Sequence, residues 1–406
     1  MKRKSRSPYF QEVLELAGIF HEKRAFTGPR TVQIDVTNNC DNECILCWAW
    51  TPFREDERMI EGFLQWARAE LPVNLVKDLI HELAGMGVEL IHFAGGGEPF
   101  IHPDFVEIIR LVKRLGLQCK ITTNFTRVDS QLVKELVDLQ IDYMTLSFWA
   151  ASEETYLVMH PRKKAGTFTQ ITNNLSQLCT LRKQTGKPWI RIYNVISKLN
   201  YHEIEKMYDF AIAVGVDAIE YQMVDPLPGK TDQFLLSHQE AEHAIQLVDR
   251  VKEKQNKCKS RKIDVIWLDS FRRRLVTEEV VTGKYDKEII DHIPCYIAWS
   301  FARVLANGDV SSCLKSDRTP IGNIHTHKFK SLWNSPKQQE FRYNVLHLKK
   351  SDPYFAQTLC YKTCDHFGDN VLIQRKLEKK LPSLYFRDRS QITLAKSIAF
   401  LGRLKS

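Results

Sequence analysis

Strand-like and helix-like segments alternate six times between residues 31 and 223, and no other feature of the 406-residue chain constrains its fold as strongly. Short apolar runs at 31–37, 88–93, 118–122, 143–148, 189–195 and 217–223 read as strands. Helical periodicity fills 58–85, 103–115, 129–139, 167–185 and 201–214 between them. A strand joined to the next strand through a helix needs a parallel pair with a right-handed crossover. The expectation is an α/β fold with a parallel sheet, helices outside it, and functional side chains at the carboxyl ends of the strands. A composition of 43% hydrophobic and 26% charged residues suits a packed globular chain and argues against a disordered or collagenous one.

Ten cysteines mark where the chemistry lies. Cys40, Cys44 and Cys47 fall in TNNCDNECILCWAW, directly after the strand-like TVQIDV of 31–36. Cys295, Cys313, Cys360 and Cys364 form a second set in the C-terminal third. Cys119, Cys179 and Cys258 stand apart and read as buried or incidental thiols. Three thiolates spaced by three and two residues on one loop can wrap one face of a soft-metal centre. A tetrahedral zinc site would need a fourth ligand that no neighbouring residue clearly supplies. A [4Fe-4S] cluster held by three cysteines keeps one iron open for an external chelating ligand.

The C-x3-C-x2-C spacing of Cys40, Cys44 and Cys47 resembles that of the radical S-adenosylmethionine (SAM) enzymes. The segment VELIHFAGGGEP, residues 88–99, supports the resemblance: Gly95, Gly96, Gly97, Glu98 and Pro99 end a strand as that family's GGEP motif does. The resemblance implies that SAM binds the open iron, that backbone at the strand end holds its amino group, and that Glu98 organises the turn. It also implies an open (β/α)6 TIM-like partial barrel, with residues 1–27 as a basic helical extension and the barrel over 28–250. Strand ends then nominate Thr122, Thr123 and Asn124, Ser147, Arg191 and Asn194, and Glu220, Gln222 and Asp225. Ser147 and Asn194 resemble positions that contact SAM; Thr123, Asn124 and Arg191 join them as cofactor-binding candidates. Glu220 and Asp225 are the candidate proton acceptors. His160 belongs to an aromatic segment, 148–161, that faces substrate or packs on the barrel.

Residues 251–288 read as a solvated connection to a small cysteine-rich α+β domain over 289–370. An Asn307-Gly308 hairpin turn would bring Cys295 towards Cys313, and Cys360 with Cys364 would complete four thiolates for an auxiliary [4Fe-4S] cluster or a structural zinc ion. The C-x12-G-x4-C opening resembles SPASM and twitch extensions of radical SAM enzymes. Full SPASM domains carry seven cysteines, so four point to a single-cluster version. Four thiolates leave no open iron, which favours electron transfer.

The net charge of +9 is concentrated in 371–406, where nine basic residues face two acidic ones in a basic amphipathic pattern suited to a lipid surface or a protein partner. The nearly neutral remainder gives no support to a nucleic-acid groove. With no secretory signal and no long apolar run, a cytoplasmic chain is expected. The resemblance implies an oxidoreductase that cleaves SAM to a 5'-deoxyadenosyl radical, with a flavodoxin or ferredoxin as low-potential donor. Peptide modifiers of this family often carry an N-terminal leader-recognition domain, whereas the first strand here starts at residue 31. That tilts the expected substrate towards a small, sugar-like molecule undergoing net dehydrogenation. The alternatives are a peptide-modifying enzyme, a carbohydrate epimerase or dehydratase, a lipid-modifying enzyme, and a zinc-binding interaction protein.

Overall fold

A computed structural model describes residues 8–54, 61–257 and 263–380. Cys258 and the tail beyond residue 380 lie outside the described residues. The chain divides into two compact units, one of 1–33, 74–90 and 286–406, the other of 34–73 and 91–285.

The strands β1 (Thr31–Ile34) and β2 (Leu90–Phe93) precede a parallel ladder of β3 (Gln118–Thr123), β4 (Tyr143–Ser147), β5 (Trp189–Ile196), β6 (Ala218–Met223) and β7 (Asp264–Ile266). Register aligns Thr122 with Thr145, Thr145 with Arg191, and Tyr193 with Glu220. The sheet is open, because β7 ends it against β6 alone. The six expected strands are present, and their helices follow the predicted order. The pattern read as one helix over 58–85 is two, Glu61–Ala67 and Val73–Met86, with Pro72 between them. Proline has no N–H to give to a helical ladder, which accounts for the break.

Alternation along β5 shows how the ladder is sided. Ile190, Ile192, Asn194 and Ile196 are buried on one face, while Arg191 and Tyr193 point to the other. Apolar helix faces such as Phe105, Ile108, Ile109 and Val112 are buried as the amphipathic pattern requires. The segment expected to be a connection, 251–288, instead contains β7 and the helix Leu268–Val276. Phe271 of that helix packs 5.7 Å from the Tyr221 ring, centroid to centroid, and its Arg274 donates to Gln222 of β6.

In the other unit, β8 (Phe301–Val304) pairs antiparallel with β9 (Asp309–Ser311), which pairs with β10 (Gly322–Asn323). The expected Asn307-Gly308 turn joins β8 to β9. Gly308 sits at φ +86°, a conformation that favours glycine. Buried Trp299 and Trp333 flank the guanidinium of Arg342, which donates to the carbonyls of Ala298, Lys23 and Trp333 and to Asn334. The helix Phe367–Lys380 takes in the first ten residues of the expected basic tail.

Among the described residues, no helix is long and apolar enough to cross a membrane.

Candidate active site

The loop after β1 carries Cys40, Cys44 and Cys47, and backbone bonds give it a defined shape. Asn42 N–H points to the Cys40 sulfur at 3.4 Å, Trp50 N–H to the Cys47 sulfur at 3.3 Å, and Ala49 N–H to the same sulfur at 3.4 Å. Hydrogen bonds of this kind stabilise negative charge on a ligating sulfur. Burial raises the pKa of Cys40 and Cys44. Among the lesser influences, Cys47 raises both, so the three thiols act on one another.

Asp41 pins this loop to its surroundings. Its carboxylate accepts from Asn124 Nδ2 at 3.0 Å, Thr126 Oγ1 at 2.8 Å, Arg127 Nε at 3.1 Å and Lys163 Nζ at 3.2 Å. Burial opposes its charge, yet the bonds from Asn124 and Thr126 and the Lys163 ammonium outweigh it and lower the pKa.

The turn after β2 closes on the cysteine loop. Glu98 N–H donates to the Asn39 carbonyl at 2.9 Å, and Trp50 Nε1 donates to the carbonyls of Asn38 and Gly96 at 2.9 and 2.8 Å. A Cβ added at Gly97 would stand 2.2 Å from the Asn39 carbonyl oxygen, so the approach requires glycine. Gly95 and Gly96 lie against the side chains of Asp35 and Asn38. The Glu98 carboxylate, 2% exposed, accepts from Phe100 N at 3.2 Å, Thr123 Oγ1 at 2.8 Å and Asn124 N at 2.7 Å. Its pKa is pushed up to about 7, burial outweighing those three bonds. Pro99 opens the short turn of helix that follows.

The remaining strand-end candidates divide between the two faces of the ladder. Arg191 forms an ion pair with Glu220 and donates to Thr145 Oγ1 at 3.1 Å. Burial raises the Glu220 pKa against the opposing pull of Arg191. Ser147 is half-buried at the end of β4. Asn194 is fully buried on the opposite face from Arg191, where its Oδ1 accepts Trp149 N–H at 3.1 Å. Asp225 is exposed just beyond β6, while Thr123 and Asn124 tie Glu98 and Asp41 together as described above.

Sequence reasoning did not single out Asp41, nor the place of His160. His160 Nδ1 is 3.1 Å from the Cys44 sulfur, while its Nε2 donates to the Phe148 carbonyl at 3.1 Å. A strand-end rule finds neither residue; the nearest sequence signal for Asp41 was its position inside the cysteine motif. Beside the loop, an open cleft of about 480 Å³ is lined by Thr37, Asn39, Trp50, Phe63, Arg68 and Arg162, among others. That volume lies in the range of ligand pockets.

In the other unit, Cys295, Cys313, Cys360 and Cys364 all line one small cavity of about 40 Å³. Burial raises the pKa of all four, with Cys313 pushed up to about 12. Thr358 Oγ1 is 3.0 Å from the Cys360 sulfur, and Asn370 Nδ2 points to the Cys295 sulfur at 3.8 Å. Among the described residues, no three Cys, His, Asp or Glu side chains stand in metal-ligating geometry. The donor sets nevertheless fit iron–sulfur centres, being all-thiol and lined by sulfur-directed N–H and O–H groups. At the first set, the Asn42 side-chain amide also hydrogen-bonds towards Cys44 and works against the effect of burial on that thiol.

Residues 34–211 match the radical SAM superfamily, and residues 295–365 match the SPASM iron-sulfur cluster-binding domain. The chain carries a radical SAM domain followed by a C-terminal SPASM iron–sulfur domain. The chain is 28% identical over 200 residues to the "Tungsten-containing aldehyde ferredoxin oxidoreductase cofactor-modifying protein" of Pyrococcus furiosus, covering 48% of this chain and 51% of that one. It is 25% identical over 208 residues to the PqqA peptide cyclase of Rhodopseudomonas palustris, covering 51% and 50%. The chain spans about half the length of the curated relatives it matches. Among solved structures, Streptococcus suis SuiB bound to the precursor peptide SuiA superposes with a TM-score of 0.61 at 14% identity, over 90% of this chain and 77% of that one. The anSMEcpe enzyme with bound AdoMet and a peptide gives 0.57 at 14% identity, over 93% and 98%. At such identities these structures speak for the fold.

Proposed function

We propose that this radical SAM enzyme matures a peptide or a peptide-like cofactor precursor by removing a hydrogen atom from it. The observation that carries the reading is the joining of the cysteine loop and the GGEP turn into one body. The Glu98 N–H to Asn39 carbonyl bond and the packing of Gly97 on the Asn39 carbonyl join them. Cys40, Cys44 and Cys47 would hold the SAM-binding cluster, which supplies the electron that cleaves SAM and yields a 5'-deoxyadenosyl radical. Gly95, Gly96 and Gly97 would present backbone to the SAM amino group. Asp41 and Glu98 keep loop and turn in register, with Thr123 and Asn124 as the links. Ser147 and Arg191 border the space for SAM and substrate, and buried Asn194 holds the Trp149 backbone that follows β4.

Glu220 is the candidate proton acceptor. Its carboxylate is buried beside Arg191, which orients it and tempers its basicity. Asp225, at the exposed end of the same strand, is the alternative. Cys295, Cys313, Cys360 and Cys364 would hold an auxiliary cluster that accepts the electron a substrate radical gives up. A flavodoxin or ferredoxin would supply the low-potential electron for each turnover.

The sequence favoured a small sugar-like substrate, but the similar proteins favour the peptide alternative. SuiB and anSMEcpe are described with bound peptides, and two of the relatives are a peptide cyclase and a cofactor-modifying protein. The aromatic cleft lined by Trp50 and Phe63, with Arg68 and Arg162 at hand, has the size and mixed chemistry to seat a peptide segment. The test is 5'-deoxyadenosine release by the reconstituted enzyme against a peptide panel and a panel of aminocyclitols and sugars. Stimulation by peptides, with solvent-independent transfer of substrate deuterium into 5'-deoxyadenosine, is the expected result. Stimulation by the sugar panel alone would reverse the assignment.

A further inference from the structure

The cavity lined by the four C-terminal cysteines is also lined by a buried ammonium. Lys350 is only 7% exposed, and its Nζ donates to the carbonyls of Val345 at 3.2 Å and Leu348 at 3.4 Å. The Val345 carbonyl also accepts the backbone N–H of Cys295 at 3.2 Å, so one oxygen joins the ammonium to the backbone of a cysteine in the set. The Phe355 ring lies 5.5 Å from Nζ and lines the same cavity. Asp291 takes the backbone N–H of Lys350, at 2.7 Å, but no carboxylate of the described residues forms an ion pair with the ammonium.

A buried cation without a carboxylate is costly unless an anion is supplied from elsewhere. A four-thiolate [4Fe-4S] centre is such an anion. Taking up one electron makes it more negative by one charge, with no bond made or broken. A fixed positive charge nearby therefore stabilises the reduced form more than the oxidised one. Acidic groups also stand by the set, next to Cys364. Asp286 accepts from Cys364 N–H at 3.0 Å and from Thr363 Oγ1 at 3.0 Å, while Asp365 adjoins Cys364.

We propose that Lys350 is the charge partner of the auxiliary centre and raises its reduction potential, making it an electron acceptor. The inference rests on the auxiliary-cluster reading under Proposed function. It assigns Lys350 a positioning and tuning role, distinct from cluster ligation.

The test uses the full chain carrying Cys40→Ala, Cys44→Ala and Cys47→Ala, so that only the auxiliary centre gives a signal. Reduction is followed by EPR at set potentials for this parent, for K350M and for K350R. At a fixed potential the reduced-to-oxidised ratio should fall about tenfold in K350M, equivalent to 59 mV for one electron. K350R should stay within about threefold of the parent, since it keeps the charge. An unmoved ratio in K350M with iron and sulfide intact would overturn the proposal while leaving the cluster reading standing. No iron in the parent would sink the cluster reading, and this proposal with it.

If K350M does not take up iron, thermal melts of the metal-free proteins decide. Removal of an uncompensated charge should leave metal-free K350M melting at or above metal-free parent. A lower melting temperature would make Lys350 a structural tie to its two carbonyls and overturn the proposal.

Discussion

The Glu98 carboxylate accepts the backbone N–H of Asn124 at 2.7 Å, binding the end of one strand to the turn after another. The acid of the GGEP motif thus acts as a clamp, held by Thr123 and Phe100 as well. Burial pushes its pKa up to about 7 from an ordinary 4.5. Stability from the protonated form is fully present below pH 4.5 and is lost as pH rises through 7. Between pH 5 and 8 the metal-free protein should lose about 2 kcal/mol through this group. Urea unfolding of Glu98→Gln at both pH values should show that much less loss than wild type; equal slopes would contradict the assignment.

Gly97 tests the union of loop and turn. A Cβ there would meet backbone, the Asn39 carbonyl oxygen at 2.2 Å, and backbone cannot swing aside as a flexible side chain can. Gly97→Ala should reduce SAM cleavage by about a hundredfold, through a misplacement of the order of 1 Å. The C-terminal auxiliary centre should keep its iron. SAM cleavage within threefold of wild type would mean that turn and loop need not touch.

Asp41 gathers four donors from residues 124–163 onto the loop that carries the three cysteines. Asp41→Ala should leave those donors without their acceptor and lower iron retention at the SAM-binding centre. About half of the total iron should remain, held by the auxiliary set. Retention of both centres would show that the cysteine spacing alone shapes the loop.

His160 is buried with one ring nitrogen on the Phe148 carbonyl and the other facing Cys44. Burial pushes its pKa down to about 4. Stability from the neutral imidazole is present above pH 6.5 and lost as pH falls through 4. His160→Gln should remove much of the acid sensitivity of the metal-free protein in that window. At pH 7.5 it should cost about 1–3 kcal/mol, since the Phe148 carbonyl loses a well-placed donor. Unfolding midpoints across pH 4–7.5 measure both effects.

The fold was legible where signals are local. Short apolar runs located β3 to β6 to within a residue or two, and Asn307-Gly308 marked its hairpin because a two-residue turn needs a positive φ. The three residues of β7 escaped notice. Asp264–Ile266 has no alternation long enough to read, and β6 supplies the pairing that makes it a strand. The same contrast runs through the site. Cys40, Cys44, Cys47 and the GGEP turn are spacing motifs, visible in one stretch of chain. Asp41 as an anchor, His160 beside Cys44, and Lys350 beside Cys295 depend on contacts between segments 55 to more than 100 residues apart, which no local pattern encodes. Asn194 is where the strand-end rule looks, on the face of β5 opposite Arg191, where it accepts the Trp149 N–H.

The central claim is one SAM-binding centre on Cys40, Cys44 and Cys47 and one closed centre on Cys295, Cys313, Cys360 and Cys364. Anaerobic reconstitution with iron and sulfide analysis, and EPR of the reduced protein with and without SAM, tests it most directly. The account predicts about eight irons in the parent and about four after Cys40, Cys44 and Cys47 are changed to Ala, with the SAM-dependent spectral change lost in that variant. Zinc in place of iron, or a spectrum indifferent to SAM in the parent, would contradict it.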